Sequence, residues 1–145
     1  MERSPSADVH CHAYAWIGPR RLFDLEEERR PEFEAAFAVS DVTPVRVVEW
    51  LRKPRRLIRS TFTDPAEAAS WIRARAAEVL PELLHPEEAD WPALDRREKS
   101  AADMIGRGGD VVWGFYLRDG RFASYALISC PNRLEPGLPC PERGP

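Results

Sequence analysis

The sequence predicts an α+β domain: a mainly antiparallel sheet of four to five strands, two to three helices packed on one face, and a β-hairpin at its end. Three observations carry this. Two strand-like runs flank Asp119-Gly120 in "DVVWGFYLRDGRFASYALISCP", the strongest short-range hairpin signal. "TDPAEAASWIRARAAEVLPELL" repeats its apolar residues at helical spacing. Strand-like and helix-like segments do not alternate regularly, which argues against a parallel βαβ array. At 145 residues, 43% hydrophobic and 31% charged, the chain has the size and balance of one domain with its own core. The expected body spans residues 7–130. Residues 1–6 and the tail 131–145, with five prolines and two glycines, are expected to be loose and poorly ordered.

The first strand is "ADVHCHAYAWI". Its alternation puts Val9, Cys11, Ala13, Ala15 and Ile17 on one face and His10, His12, Tyr14 and Trp16 on the other. Gly18-Pro19 predicts a turn, "RRLFDL" a short strand to Leu25, and "EEERR" a solvated charge run. "PEFEAAFAVS" fits two periods, with Phe33, Ala35, Phe37 and Val39 favouring a strand and Phe33, Ala36 and Phe37 a helix. The strand is preferred.

Thr43 and Pro44 have the order of a cap and first helical residue, which predicts a helix over "VRVVEWLRK" with Val47, Val48 and Leu51 buried. The β-branched and aromatic content of "RRLIRSTFT" predicts a strand. Asp64 then caps the clearest helix, with Pro65 first, Glu67 able to reach back, and Ala68, Ala69, Ile72, Ala76, Val79 and Leu80 on its inner face. Pro81 ends or kinks it. A further helix over Pro92–Ile105 turns Leu94, Ala101 and Ile105 inward and stops at "GRGGD".

No run approaches the eighteen or more apolar residues of a membrane span, no signal peptide is legible, and three cysteines are too few for a secreted disulfide framework. The expectation is a cytosolic protein with free thiols. Nineteen of the 21 basic residues are Arg and only Lys53 and Lys99 are Lys, a bias of GC-rich coding that points to a bacterial source. A net charge of −3 gives no general attraction for nucleic acid or anionic membranes. Neither is expected as a partner.

Candidate chemistry is concentrated in "DVHCHAYAWIG". Two imidazoles two positions apart on a strand can converge on one ion, while Cys11 points away. That is half a zinc site. Cys130 and Cys140 are the candidate thiols to complete it if the first and last strands lie side by side, although their spacing is unlike a zinc knuckle. "DVHCH" resembles the Asp-x-His-x-His of amidohydrolase barrels, which need about 250 residues. "HPE" at His85–Glu87 resembles the His-x-Glu of zinc deaminases, but no Cys-x-x-Cys follows. Both resemblances fail.

The preferred functional expectation is a binding or accessory protein. Its ligand face, for a small molecule or a protein partner, would combine His10, His12, Tyr14 and Trp16 with Trp113 and Tyr116 of the hairpin. The first alternative is an enzyme using a divalent metal, or a histidine base, on that face. The second is anion or nucleic-acid binding through the basic segment 46–59, with Arg52, Lys53, Arg55, Arg56 and Arg59 as the anion-binding residues.

Overall fold

The computed structural model describes residues 9–143. The loose segment expected over residues 1–6 lies outside the described residues. The fold is α+β with a four-stranded antiparallel sheet in the order β2-β1-β4-β3. The strands are β1 His10–Pro19, β2 Ser60–Phe62, β3 Val111–Leu117 and β4 Arg121–Cys130. β4 is the longest partner of β1, and their ladder runs without a break from His10 opposite Cys130 to Pro19 opposite Arg121. β3 and β4 form the expected hairpin, with Asp119 and Gly120 both at positive φ, 64° and 67°. Glycine has no steric cost there, and aspartate is among the few residues that tolerate it.

The helices α1 Glu26–Arg29, α2 Glu34–Val39, α3 Pro65–Val79 and α4 Trp91–Gly106 are joined by short 3-10 turns. α3 is formed as its sequence dictates: the Asp64 side chain accepts from Ala66 N, Pro65 follows, and all six expected inner positions are buried. The helix ends at Val79, two residues before Pro81. α4 is capped in the same way by Asp90 and stops at Gly106, with Gly108 at positive φ. α3 and α4 cover one face of the sheet. The small side chains of Ala68, Ala69 and Ala76 meet Cys11, Ala13 and Ala123 of the strands in one buried cluster, an arrangement that lets helix and sheet approach closely.

The opposite face carries a second layer, built from residues 20–58 and the returning tail. Five expectations are corrected here. Arg20–Asp24 is a 3-10 turn rather than a strand, and Gly18-Pro19 is the end of β1 rather than a turn, because β4 pairs as far as Pro19. Glu34–Val39 is helical, with Phe37 its only buried residue. Its two central alanines favour the helix, and it lies off the four-stranded sheet. The helix expected from Thr43 is only a 3-10 turn over Val47–Arg52, with Thr43 buried and not capping it. Val48, Glu49, Trp50 and Leu51 are buried consecutively, so the segment has no exposed side to make it amphipathic. The strand expected in "RRLIRSTFT" shrinks to Ser60–Phe62, because Pro54 precedes a second 3-10 turn over Arg55–Leu57.

Lys53 holds this second layer together. It is 2% exposed, and its Nζ donates to the carbonyls of Glu28, Phe37 and Ser40 at 3.0, 2.8 and 2.7 Å while lying 4.0 Å from the centre of the Phe37 ring. Those carbonyls belong to the ends of α1 and α2, where helices leave acceptors unpaired. Burial lowers the Lys53 pKa to about 8. Tyr14 stacks on Trp50 at 4.7 Å beneath this layer, and Trp16 packs on Phe23 at 5.2 Å.

The tail is described as far as residue 143. After a cis Cys130–Pro131 peptide it turns back along the sheet. Asn132 is buried and donates to Asp110, Leu138 packs into the second layer, and Arg55 donates to the carbonyl of Glu142. Among the described residues, no helix is long and apolar enough to cross a membrane.

Candidate metal centre

The β1–β4 ladder sets His10 directly across from Cys130. Opposite residues of an antiparallel pair project to the same side, and so do residues two apart on one strand. His10, His12 and Cys130 therefore share the face away from α3 and α4. The returning tail supplies Cys140. One ligand atom from each of the four side chains lies within 4.8 Å of all the others, so the group could hold a metal ion. His10 Nε2 and His12 Nε2 are 3.1 Å apart, and Cys140 Sγ is 3.6 and 3.5 Å from them. His12 and Cys130 are buried, whereas His10 and Cys140 are partly open.

Two further residues orient His12. Thr61 of β2 pairs with His12, and its Oγ1 lies 2.9 Å from His12 Nδ1. The same hydroxyl donates to Glu142 Oε2 at 3.3 Å. A hydroxyl has one proton to give. With it committed to the carboxylate, Thr61 accepts from His12 Nδ1–H, which leaves the Nε2 lone pair facing the cluster. Burial, and secondarily the neighbouring charge of His10, lower the His12 pKa to about 4. The ring is therefore neutral at pH 7, the form that ligates metal.

Tyr14 lies one step further along the same face. Its hydroxyl is buried with no hydrogen-bond partner among the described residues. Burial first, and then Cys130, Cys140 and Glu142, raise its pKa. Cys11 faces α3 and α4, and its burial raises the thiol to about 12. Such a thiol is inert.

The other sequence candidates are scattered. Tyr14 and Trp16 are core residues, 0% and 4% exposed, so the expected open aromatic face is covered by the Trp50 and Phe23 layer. Trp113 is buried on the helix side, while Tyr116 is exposed on the other side against Phe122. The two therefore lie on opposite faces of the sheet. In the basic segment, Lys53 is committed to three carbonyls and cannot serve an external anion. Arg52 pairs with Glu135 at 3.7 Å and Arg55 donates to Glu142, so the tail occupies both, while Arg56 and Arg59 remain exposed. Thr61 and Glu142 had no signal in the sequence. Lys53 had one: in a chain that writes Arg almost everywhere, a lysine marks a place where a compact ammonium with three donors is needed.

No family model, curated protein or solved structure matches the chain. The site is read from its own chemistry.

Proposed function

We propose that this protein is a zinc-binding accessory domain in which His10, His12, Cys130 and Cys140 hold one Zn²⁺ and clasp the tail to the sheet. The observation that carries the reading is the spacing of the ligand atoms. Zinc bonds of about 2.05 Å to nitrogen and about 2.3 Å to sulfur, arranged tetrahedrally, put nitrogens about 3.3 Å apart and nitrogen about 3.6 Å from sulfur. The cluster has 3.1 Å between nitrogens and 3.5 and 3.6 Å from nitrogen to Cys140 sulfur. The two-nitrogen, two-sulfur set suits zinc. The Thr61–Glu142 relay behind His12 is the outer support that metal-bound histidines require.

Four protein ligands fill a tetrahedral ion and leave no position for substrate, which favours a structural or binding role over metal-assisted hydrolysis. A second reading is an enzyme using Cys140 as nucleophile and His12 as base. It rests on the linear order Cys140, His12, Thr61, Glu142. Convergence of His10 and Cys130 on the same point favours the metal.

Cobalt substitution separates the two readings. The zinc reading expects intense tetrahedral d–d bands and thiolate charge-transfer bands that weaken in Cys130→Ser and Cys140→Ser. An octahedral, thiolate-free cobalt spectrum contradicts it. Stoichiometric alkylation of Cys140 in protein saturated with Zn²⁺, at an unchanged rate, would favour the nucleophile.

A further inference from the structure

On the opposite side of the sheet from the histidine–cysteine cluster, between α4 and the first half of β3, lies an open groove of about 550 Å³. Ala93, Ala101 and Met104 of the helix and Val111 and Trp113 of the strand give it mainly apolar walls. Arg97 lies across them, its guanidinium carbon 4.6 Å from the centre of the Trp113 ring and 5.3 Å from that of Phe115.

Arg97 and its neighbour Arg96, both exposed, pair with no carboxylate among the described residues, unlike the arginines that follow. Arg73 pairs with Asp95 and Glu98, Arg75 with Glu78, Arg107 with Asp103, and Arg121 with Glu82. Among the described residues Arg97 has its two ring contacts and no carboxylate or carbonyl acceptor. A guanidinium that packs on rings can still donate in its own plane to an acceptor entering the groove. Asp110, also lining the groove, has its oxygens engaged by Ser129 N and Asn132 Nδ2, so it is not the counter-ion. The groove is thus apolar, with a fork of donors at one side and a committed carboxylate nearby.

We propose that this groove binds a small amphiphilic monocarboxylate, with its carboxylate on the fork of Arg97 and its apolar body against Met104, Val111 and Ala101. A planar guanidinium takes a carboxylate through two parallel hydrogen bonds. Beyond Arg97, the polar residues of the lining are Arg96, Ser100 and the committed Asp110. The negative charge of Asp110 disfavours dianions such as phosphate monoesters. The volume falls within the range of about 300–1,000 Å³ typical of small-ligand pockets. The site is independent of the metal reading.

The test is calorimetric titration of the full chain with 4-phenylbutyrate, octanoate, 4-phenylbutan-1-ol and phenyl phosphate. The expected result is saturable one-site binding of both carboxylates, at least tenfold weaker for the alcohol and the phosphate. Arg97→Met, which keeps an apolar stem over Trp113, should lower carboxylate affinity at least tenfold. Arg97→Lys, which keeps the charge but not the fork, should lie between, and it stands in if the methionine variant melts early. No saturable carboxylate binding, equal affinity for the alcohol, or affinity unchanged in both folded Arg97 variants overturns the proposal.

Discussion

His10 stands directly opposite Cys130 in the β1–β4 ladder. That one relationship adds a thiol to the pair of histidines on the first strand, giving three of the four residues that could hold a metal ion. A register slip of one residue would carry Cys130 to the helix-covered face. The ladder's ten consecutive pairs, from His10 to Pro19, fix the alignment. Cys140 then arrives on a tail whose attachment is local: Glu142 on Thr61 and Arg55, Glu135 on Arg52, Asn132 on Asp110.

The tail should depend on the metal. In Cys140→Ser, one ligand is lost and the Arg133–Leu134 bond should become a tryptic site at a rate at least about tenfold above wild type with zinc bound, since local opening controls cleavage. Removing zinc with a chelator should have the same effect on the wild-type protein. Equal tryptic rates in all three states would show that the tail is held without the ion.

Thr61→Val keeps the shape of the side chain and removes the acceptor for His12 Nδ1–H. Zinc affinity should fall by about 10- to 100-fold, the usual effect of losing an outer-shell partner. Competition with a chromophoric chelator measures it. An unchanged affinity would mean that the relay does not set the orientation of His12.

Lys53→Met should destabilise the fold on the order of 3 kcal/mol, because it leaves three carbonyls, two of them in buried contacts, without their donor. Lys53→Arg should not rescue it, since a planar fork cannot replace a compact ammonium there. Urea unfolding measures both. Wild-type stability in either variant would contradict the role given to Lys53.

Tyr14→Phe should cost less than about 0.5 kcal/mol or stabilise the protein, because the buried hydroxyl it removes has no partner among the described residues. Trp50→Ala, which removes the ring stacked on Tyr14, should cost about 3–5 kcal/mol. A large loss in Tyr14→Phe would show that the hydroxyl is engaged.

Much of this was legible from local chemistry. Asp119-Gly120 announced the hairpin, Asp64-Pro65 and the alanine-rich stripe announced α3, and strand alternation separated Cys11 from the two histidines. What was not legible depended on distance along the chain or on burial from two sides. The adjacency of β1 and β4 is a long-range pairing, so Cys130 was only a conditional ligand. The second layer hides its pattern because Val48–Leu51 are buried in succession, which erases the period that marks a helix. The same layer turned the aromatic face of β1 from an expected ligand surface into core. The tail's prolines correctly excluded regular helix or strand but carried no information about the side-chain contacts that anchor it.

The most direct measurement is the metal content of the purified full-length chain, wild type beside His10→Ala/His12→Ala, by elemental analysis after exhaustive dialysis. About one zinc per wild-type chain is expected, and about a tenth of that or less in the double variant. A wild-type protein that folds, fails to retain zinc, and takes up none on titration would contradict the zinc reading.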